Sequence, residues 1–323
     1  MTDPNHKPLL STKQRKTIIF SLALTAAVYL CVVILTGYDD IQIAFQQIGL
    51  LGWSFLLICS LSNYFIRFIR WHGYIKLTGA TIPFGRHFLY YLSGFALTTT
   101  PGKAGETIRS VLLRPHGVNY PASLASFFTE RFLDVIVIAL LASLCVYVFD
   151  EYHGFVLITS IVILLLLPLI RSPYLITILT SIKNKIQWTR FKTGLSHLVS
   201  LINSAQLFLA WRRIAGGLGL GMIAWSIQGF AFYFIVSTLN FELSLLAAMG
   251  IYSISLLAGA VSFIPGGVGS TEVVMGLLLA ALGADTSIAV SAPLISRLST
   301  LWFAVAVGLL SSAWLSSHRQ RRK

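Results

Sequence analysis

Charged residues are scarce in this sequence of 323 residues. Only 11% of the side chains are Asp, Glu, Lys or Arg, whereas 56% are hydrophobic. This balance lies far outside the range of soluble globular domains and indicates an integral membrane protein. Cysteine is scarce as well: Cys31, Cys59 and Cys145 are an odd number and all fall in apolar stretches. The sequence therefore excludes a disulfide framework as the basis of the fold.

Several motifs that carry chemistry are missing. None of the seven histidines lies in a predicted span, so we expect neither a buried general base nor a metal site. The glycine-rich run at Gly266 lacks the Lys-Ser or Lys-Thr ending of an ATP-binding loop. The net charge of +13 is not gathered into a basic domain that could bind nucleic acid. We therefore predict no cofactor, no metal, no catalytic residue and no nucleic-acid partner.

Long apolar runs predict the spans. A helix needs about 20 apolar residues to cross about 30 Å of hydrocarbon. Runs of this kind occupy residues 17–36, 50–66, 132–149, 154–170, 214–239 and 298–315. The first run is too long for a signal-peptide core and no small-residue cleavage site follows it, so we expect it to remain as an anchor. The prediction is an all-α membrane protein with about six full spans.

The placement of charge predicts the topology. With both termini in the cytoplasm, every Lys and Arg except Lys103, Arg131 and Arg297 falls at inner ends or inner loops. The outer side then holds only acidic charges, such as Asp150 and Asp285. Cytoplasmic loops of membrane proteins carry an excess of Lys and Arg in this way. We predict a multi-pass protein of the cell (inner or plasma) membrane.

This topology requires two segments that enter the membrane and return on the same side. A single crossing by residues 84–113 would carry Arg109 and Arg114 outside. We therefore predict re-entrant helical hairpins around Pro101 and Pro265, the first open to the cytoplasm and the second to the exterior. Non-helical backbone at that depth requires protein or a wet cavity around it.

A basic segment separates the two halves. Between Leu175 and Ile202, apolar residues at three- and four-residue spacing stand beside lysines and arginines. This pattern predicts amphipathic helices on the cytoplasmic surface, bound to anionic lipid. The alternatives are a solvated basic linker, or a further span formed by the uncharged residues 194–211.

The same motif occurs twice. Residues 101–106 read Pro-Gly-Lys-Ala-Gly-Glu, and residues 265–272 repeat the Pro-Gly-x-x-Gly pattern before Glu272. An arginine follows each glutamate at the same distance: Arg131 follows Glu106, and Arg297 follows Glu272. We predict an inverted repeat of span, hairpin and span within one polytopic domain. Its parts are the amino-terminal tail and first span (1–49), repeat one (50–149), a span with the amphipathic helices (150–213), repeat two (214–315) and a basic tail (316–323).

The breaks predict a site. Pro and Gly interrupt a helix and leave an amino end whose free amides can bind an anionic group. The predicted substrate-binding residues are Lys103, Arg131, Arg297, Gly102, Gly105, Gly266, Gly267 and Gly269, with Ser270 and Thr271 as helix caps. The predicted gating or proton-coupling residues are Glu106, Glu130, Asp134 and Glu272. The alternatives are ordinary Pro-Gly turns and charged pairs that only hold helices together.

These motifs resemble the transmembrane region of lysylphosphatidylglycerol synthases, a flippase-like family that includes the amino-terminal half of the bacterial multiple peptide resistance factor. The resemblance runs through residues 98–109, 126–134, 264–272 and 297–308. It implies translocation of a membrane lipid between leaflets, the family's lipids being aminoacylated phospholipids or polyprenyl-phosphate-linked sugars. Because no aminoacyl-transfer domain precedes the last residue, Lys323, we do not expect lysyl transfer.

Two other functions stay open at this point. One is a membrane enzyme that acts on a phospholipid or polyprenyl-phosphate head group, with Glu130 and Asp134 as acid and base. The other, more remote, is a non-catalytic accessory subunit. The sequence also leaves a homo-oligomer open.

The topology can be tested by cysteine labelling. In a cysteine-free background, a cysteine at Asp150 or Asp285 should react with an impermeant reagent from outside the cell. A cysteine at Lys185 or Arg114 should react only after permeabilisation, because the positive-inside rule places both in the cytoplasm. Labelling of position 114 in intact cells would contradict the re-entrant arrangement.

Overall fold

The computed structural model describes residues 38–147, 202–262 and 264–320, and positions 154, 174, 177–178, 180–182, 196 and 199–200. All regular structure in these residues is helical, as predicted. The predicted spans at 17–36 and, apart from Gly154, at 154–170 lie outside the described residues, as do both chain ends and most of the basic amphipathic segment.

We label nine of the described α-helices. They are α1 (Tyr38–Lys76), α2 (Phe84–Ser93), α3 (Arg109–Leu113), α4 (Tyr120–Ala142), α5 (Trp211–Thr238), α6 (Leu245–Val261), α7 (Ser270–Ala281), α8 (Thr286–Arg297) and α9 (Phe303–Gln320). Short 3-10 segments occupy Gly94–Leu97, Pro101–Ile108, Arg114–His116, Ser143–Tyr147 and Pro265–Gly267, and a π-helical stretch, Leu298–Trp302, joins α8 to α9.

Within the described residues, three helices are long and apolar enough to cross a membrane: Ile41–Lys76, Trp211–Thr238 and Thr286–His318. The first and third contain the predicted runs at 50–66 and 298–315 and extend beyond them, and the second covers the run at 214–239 except for Leu239. The last helix starts at Thr286 and not at Leu298, so Arg297 lies inside it. An arginine is tolerated there because it has a carboxylate partner, which the apolar run in the sequence does not show.

Helix α4 is long enough to span but carries three charges near its middle. It begins at Asn119, whose side chain accepts a hydrogen bond from the Ala122 amide at 2.9 Å. Its charged residues are Glu130, Arg131 and Asp134, of which Glu130 and Asp134 are buried. The predicted run at 132–149 therefore begins within α4, next to charged residues of which Glu130 and Asp134 are buried in the protein.

Both Pro-Gly motifs join two short helical segments. In the second copy, Gly266, Gly267 and Gly269 have φ angles of 67°, 66° and 85°, a region that favours glycine. In the first copy, a Cβ at Gly105 would lie 2.7 Å from the Leu97 carbonyl oxygen, so glycine allows a close approach there. Helical segments thus flank both breaks, whereas the re-entrant course of the chain and the inverted repeat stay predictions.

The carboxyl-terminal helix supports both hairpins. On the α7 side, a Cβ at Gly276 would lie 2.6 Å from the Ala289 carbonyl oxygen, so α7 packs very closely on α8. On the other side, a Cβ at Gly308 would collide with the backbone of Ala96, which follows α2. One continuous element thus fixes the two Pro-Gly breaks relative to each other.

The close approach at Gly308 predicts a stability effect. Gly308→Ala should lower the melting temperature in detergent, because the added methyl group meets backbone and overpacking costs about 1–3 kcal/mol. Gly216→Ala is the matched control: it lies in a long helix and has open space around it. An equal melting temperature for both variants would show that α9 does not depend on this contact.

Candidate functional site

Buried arginines and carboxylates meet where α1, α4 and the first hairpin pack together. We call this group the arginine cluster; its members are Arg67, Arg70, Arg109, Arg131, Glu106, Glu130 and Asp134. The side chains of Arg70 and Arg109 are 1% exposed, and that of Glu130 is fully buried. Buried charges of this kind persist only when they are paired.

Glu130 is the centre of the cluster. Its carboxylate oxygens lie within ion-pair distance of four guanidinium groups and accept a hydrogen bond from a tyrosine. The partners are Arg131 at 2.9 Å, Arg67 at 3.3 Å, Arg70 and Arg109 at 3.6 Å, and the Tyr91 hydroxyl at 2.8 Å. This single carboxylate therefore connects α1, α2, α3 and α4.

Asp134 lies one turn further along α4 and faces the same arginines. It pairs with Arg70 at 2.5 Å and with Arg67 and Arg131 at 3.3 Å. The pairing of Arg131 with Asp134 at three-residue spacing, which the sequence suggests, is present. Glycines let α5 approach this region: the Gly217 carbonyl accepts from Arg70 Nη1 at 3.3 Å.

Glu106 anchors the first Pro-Gly break to the cluster. Its two oxygens accept from Arg109 Nη2 at 3.0 Å and from the Thr98 hydroxyl at 2.8 Å. The guanidinium carbon of Arg109 lies 4.0 Å from the centre of the Tyr91 ring, a cation–π contact. The break is thus held by side chains on both sides of it.

Glu272 and Arg297 hold the second break. Arg297 Nε donates to Glu272 Oε1 at 3.0 Å, and its Nη2 donates to the Gly266 carbonyl oxygen. Glu272 Oε2 accepts from the Gly269 amide at 2.8 Å. The predicted capping by Ser270 and Thr271 is wrong, because Gly269 is the N-cap and the Glu272 carboxylate satisfies its amide. The Ser270 hydroxyl instead donates to the Gly267 carbonyl at 3.1 Å.

Equal spacing in the two copies does not produce equal contacts. Arg297 bonds to the glutamate of its own motif, whereas the ion pairs of Arg131 run to Glu130 and Asp134. The two halves have therefore diverged in how each arginine is used.

The two breaks meet beside a cavity. A Cβ at Gly266 would lie 3.5 Å from Thr99 Cα. The cavity there, which we call the tip cavity, has a volume of about 230 Å³. Polar and glycine residues in its lining are Thr100, Arg131, Asp134, Gly266, Gly267, Thr271 and Arg297. Aliphatic residues in its lining include Val135, Ile138, Leu256, Ala260 and Ile264. A second cavity of about 60 Å³ contains Arg67 and Glu106 in its lining and shares Trp225 and Arg297 with the first.

A π-helical stretch follows Arg297 directly. Such stretches interrupt the regular backbone bonding of a helix and are frequent at functional sites. Helix α1 supports this one: Ser60 Oγ donates to the Ser299 carbonyl at 2.7 Å, and the Tyr64 hydroxyl donates to that of Thr300 at 2.6 Å. These bonds position the turn that presents Arg297 to the cavity.

The structure brings six of the fourteen predicted site residues to the tip cavity. Predicted residues at the tip cavity are Arg131, Asp134, Gly266, Gly267, Thr271 and Arg297. Gly105 and Gly269 shape the backbone of the breaks instead. For Gly102 and Lys103 only the backbone, within Pro101–Ile108, belongs to the described structure, so the predicted contact of Lys103 lies outside it.

Sequence reasoning missed three buried arginines. The charge pattern places Arg67, Arg70 and Arg109 at inner ends and loops. The structure shows that all three side chains are buried among carboxylates. A usable signal existed: Arg67 and Arg70 are three residues apart, and Glu130 and Asp134 are four apart, so two helices each present a charged face of opposite sign.

Comparisons with known proteins agree with this architecture. The family model described as "Lysylphosphatidylglycerol synthase TM region" matches residues 18–308. A UPF0104 membrane protein of Pyrococcus horikoshii is 24% identical over 267 residues, which cover 74% of this chain and 80% of that protein. A UPF0104 membrane protein of Methanothermobacter thermautotrophicus is 25% identical over 228 residues, covering 65% of this chain and 67% of that protein.

Removal of one partner from the second break should be costly. Arg297→Ala should destabilise the protein by about 3–5 kcal/mol, because it removes the counter-charge that α8 supplies to the largely buried Glu272. Arg212→Ala, at the exposed start of α5, should have little effect. Thermal unfolding in detergent measures both, and the double variant Arg297→Ala/Glu272→Ala should recover part of the loss. Equal stability of the two single variants would remove the pairing argument.

Proposed function

This chain belongs to the lysylphosphatidylglycerol synthase TM region family, and from that membership we propose that it is a flippase, a transporter that moves a lipid between membrane leaflets. The candidate substrates are an anionic or aminoacylated phospholipid and a polyprenyl-phosphate-linked lipid. The observation that carries the proposal is the tip cavity, whose lining combines two arginines with several aliphatic side chains.

An amphipathic cavity fits an amphipathic ligand. A lipid head group would contact Arg131 and Arg297, and its chain would leave along the aliphatic residues of the lining between α4 and the second break. Side chains on that route are exposed on the protein surface: Val135 is 39% and Ile264 is 42% exposed. In a membrane these surfaces face hydrocarbon, so a chain can stay in the bilayer while the head group enters sideways.

The broken helices supply the moving parts in this proposal. Transporters often bind their substrate near the membrane midplane, at discontinuous helices in corresponding positions of two repeats. Here each break is held by a carboxylate–arginine contact, Glu106 with Arg109 and Glu272 with Arg297. A head-group phosphate would compete with these carboxylates for the guanidinium groups. We propose that Glu106 and Glu272 act as gates through this competition.

Glu130 and Asp134 have a different part in the proposal. Both are deep counter-ions that keep Arg67 and Arg70 in place, and the gating role falls to the carboxylates at the breaks. Their engagement also weakens the alternative of a head-group enzyme. A carboxylate that compensates several buried arginines cannot take up a proton without leaving those charges uncompensated.

Two further partners are proposals from the sequence alone. Anionic lipid at the cytoplasmic surface would bind the basic amphipathic segment that starts near Leu175, where the positive charges lie. The second proposed partner is another copy of this chain in a homo-oligomer.

A proteoliposome assay tests the gates. Glu272→Gln and Glu106→Gln keep the size and much of the hydrogen bonding of the glutamates but delete the charge. Each should fold, retain bound lipid and translocate a labelled lipid about tenfold more slowly, which corresponds to about 1.4 kcal/mol on the barrier. Glu242→Gln, an exposed carboxylate in the loop after α5, is the control.

The same samples separate the two functions. A transporter changes the leaflet that holds the lipid but not its mass, whereas a head-group enzyme changes the mass. Wild-type translocation by both glutamine variants, at matched protein levels, would mean that the repeated motifs are only architectural.

A further inference from the structure

We infer that the tip cavity selects lipids with a compact, net-negative phosphate head group and excludes aminoacylated lipids, whose head group carries an ammonium. The inference rests on the proposed lipid-moving function and names the substrate class of that site. It runs against the expectation that the family's name suggests. Three features of the described residues carry it: the charge balance, the engagement of the carboxylates and the surplus of donors.

The charge balance around the two breaks is positive. Five guanidinium groups face four carboxylates in the described residues, which leaves one positive charge in excess. The guanidinium groups are those of Arg67, Arg70, Arg109, Arg131 and Arg297, and the carboxylates are those of Glu106, Glu130, Asp134 and Glu272. In a water-poor site such an excess attracts an anion and repels a cation strongly.

The carboxylates are already engaged. Glu106 and Glu272 each bind an arginine at 3.0 Å. Glu130 and Asp134 are shared among several arginines, as described above. An ammonium that entered the cavity would need one of these oxygens, and taking it would leave a buried guanidinium group uncompensated. A cationic head group therefore cannot pair with a carboxylate of the cavity without a high energetic cost.

Hydrogen-bond donors outnumber acceptors among the unsatisfied atoms of the cluster: five guanidinium nitrogens and two carboxylate oxygens, Glu130 Oε2 and Asp134 Oδ2, are buried without a hydrogen-bond partner in the described residues. The Nε atoms of Arg67 and Arg131 are buried and have no hydrogen-bond partner within the described part of the chain. Arg131 lines the tip cavity and Arg67 lines the smaller one beside it. Buried donors that lack a partner are costly, and phosphate oxygens accept the forked bonds of arginine particularly well. We assign Arg131 as the residue that confers specificity.

The volume narrows the class further. Cavities that enclose drug-sized ligands usually measure about 300–1,000 Å³, and the tip cavity measures about 230 Å³. A phosphate with a small alcohol fits this space. The shared chemistry is then a phosphate mono- or diester on an apolar chain.

Binding to the purified full chain in neutral detergent tests the inference without any transport. The probes are short-chain phosphatidylglycerol, farnesyl phosphate, short-chain lysylphosphatidylglycerol and inorganic phosphate, titrated by microscale thermophoresis. We expect at least one of the two anionic lipids to bind at least about tenfold more tightly than the lysylated lipid and inorganic phosphate. Phosphatidylglycerol and farnesyl phosphate distinguish the two lipid sources of the phosphate.

Variants assign the preference to Arg131. Arg131→Gln should weaken binding of the preferred anionic lipid about tenfold and reduce its preference over the lysylated lipid. Arg131→Lys keeps the positive charge but loses the forked hydrogen bonding of the guanidinium group. Its affinity for the anionic lipid should therefore lie between those of the wild type and Arg131→Gln. Arg212→Gln, exposed and outside the cavity, should bind like the wild type. If Arg131→Gln does not fold, the lysine variant and the selectivity of the wild-type protein still decide the matter.

Specific results would overturn the inference. If lysylphosphatidylglycerol binds as tightly as both anionic lipids, the cavity does not select against the ammonium group. If inorganic phosphate binds as tightly as the anionic lipids, the cavity does not recognise the apolar chain. The failure of the proposed function is separable: selective binding without translocation in proteoliposomes would refute the flippase and leave the selectivity standing. Translocation of the lysylated lipid at the same rate as the anionic lipids would support the flippase and refute the selectivity.

Discussion

Compensation of buried charge is the constraint on which the rest of this structure depends. A charged side chain near the centre of a bilayer costs roughly 2.5–3.5 kcal/mol on insertion scales, so a group of arginines and carboxylates can leave water only together. Glu130 lies within ion-pair distance of four arginines and, together with Asp134 and Glu106, offsets most of their charge, so it joins α1 and α4 to the first Pro-Gly segment. The helices that carry the cluster cannot separate without exposing uncompensated charge to lipid.

The same constraint explains the shape of the carboxyl-terminal half. Arg297 lies inside a continuous helix because Glu272 pairs with it, and that pairing also draws the second break against the helix. The π-helical stretch after Arg297 and the bonds from Ser60 and Tyr64 fix how the arginine faces the cavity. Since the helix continues past the first hairpin at Gly308, one rigid element aligns both breaks at the tip cavity.

The charges of the described guanidinium groups and carboxylates in this site nearly cancel, with one positive charge in excess. We attribute the proposed function to that excess charge. A fully neutral network would serve as structural adhesion between helices. An excess of guanidinium donors beside aliphatic side chains is instead suited to a phosphate with an attached apolar chain. A negative head group would complete the hydrogen bonding of the cluster, and its departure would return the arginines to their carboxylates.

The sequence by itself determined the membrane class, the helical structure and the positions of the two Pro-Gly breaks, and it predicted Arg131, Arg297, Glu272 and Asp134 as site residues. These properties are local, because span length, helix breaking and an isolated charge in an apolar run can each be read from neighbouring residues. Only the tertiary structure decided that Arg67, Arg70 and Arg109 are buried, and that Glu272 caps α7 in place of Ser270 and Thr271. The carboxylate partners of Arg67 and Arg70 come from another helix, over separations of 63 and 64 residues. The charged face of each helix is visible in the sequence, but only the fold shows that the two faces meet.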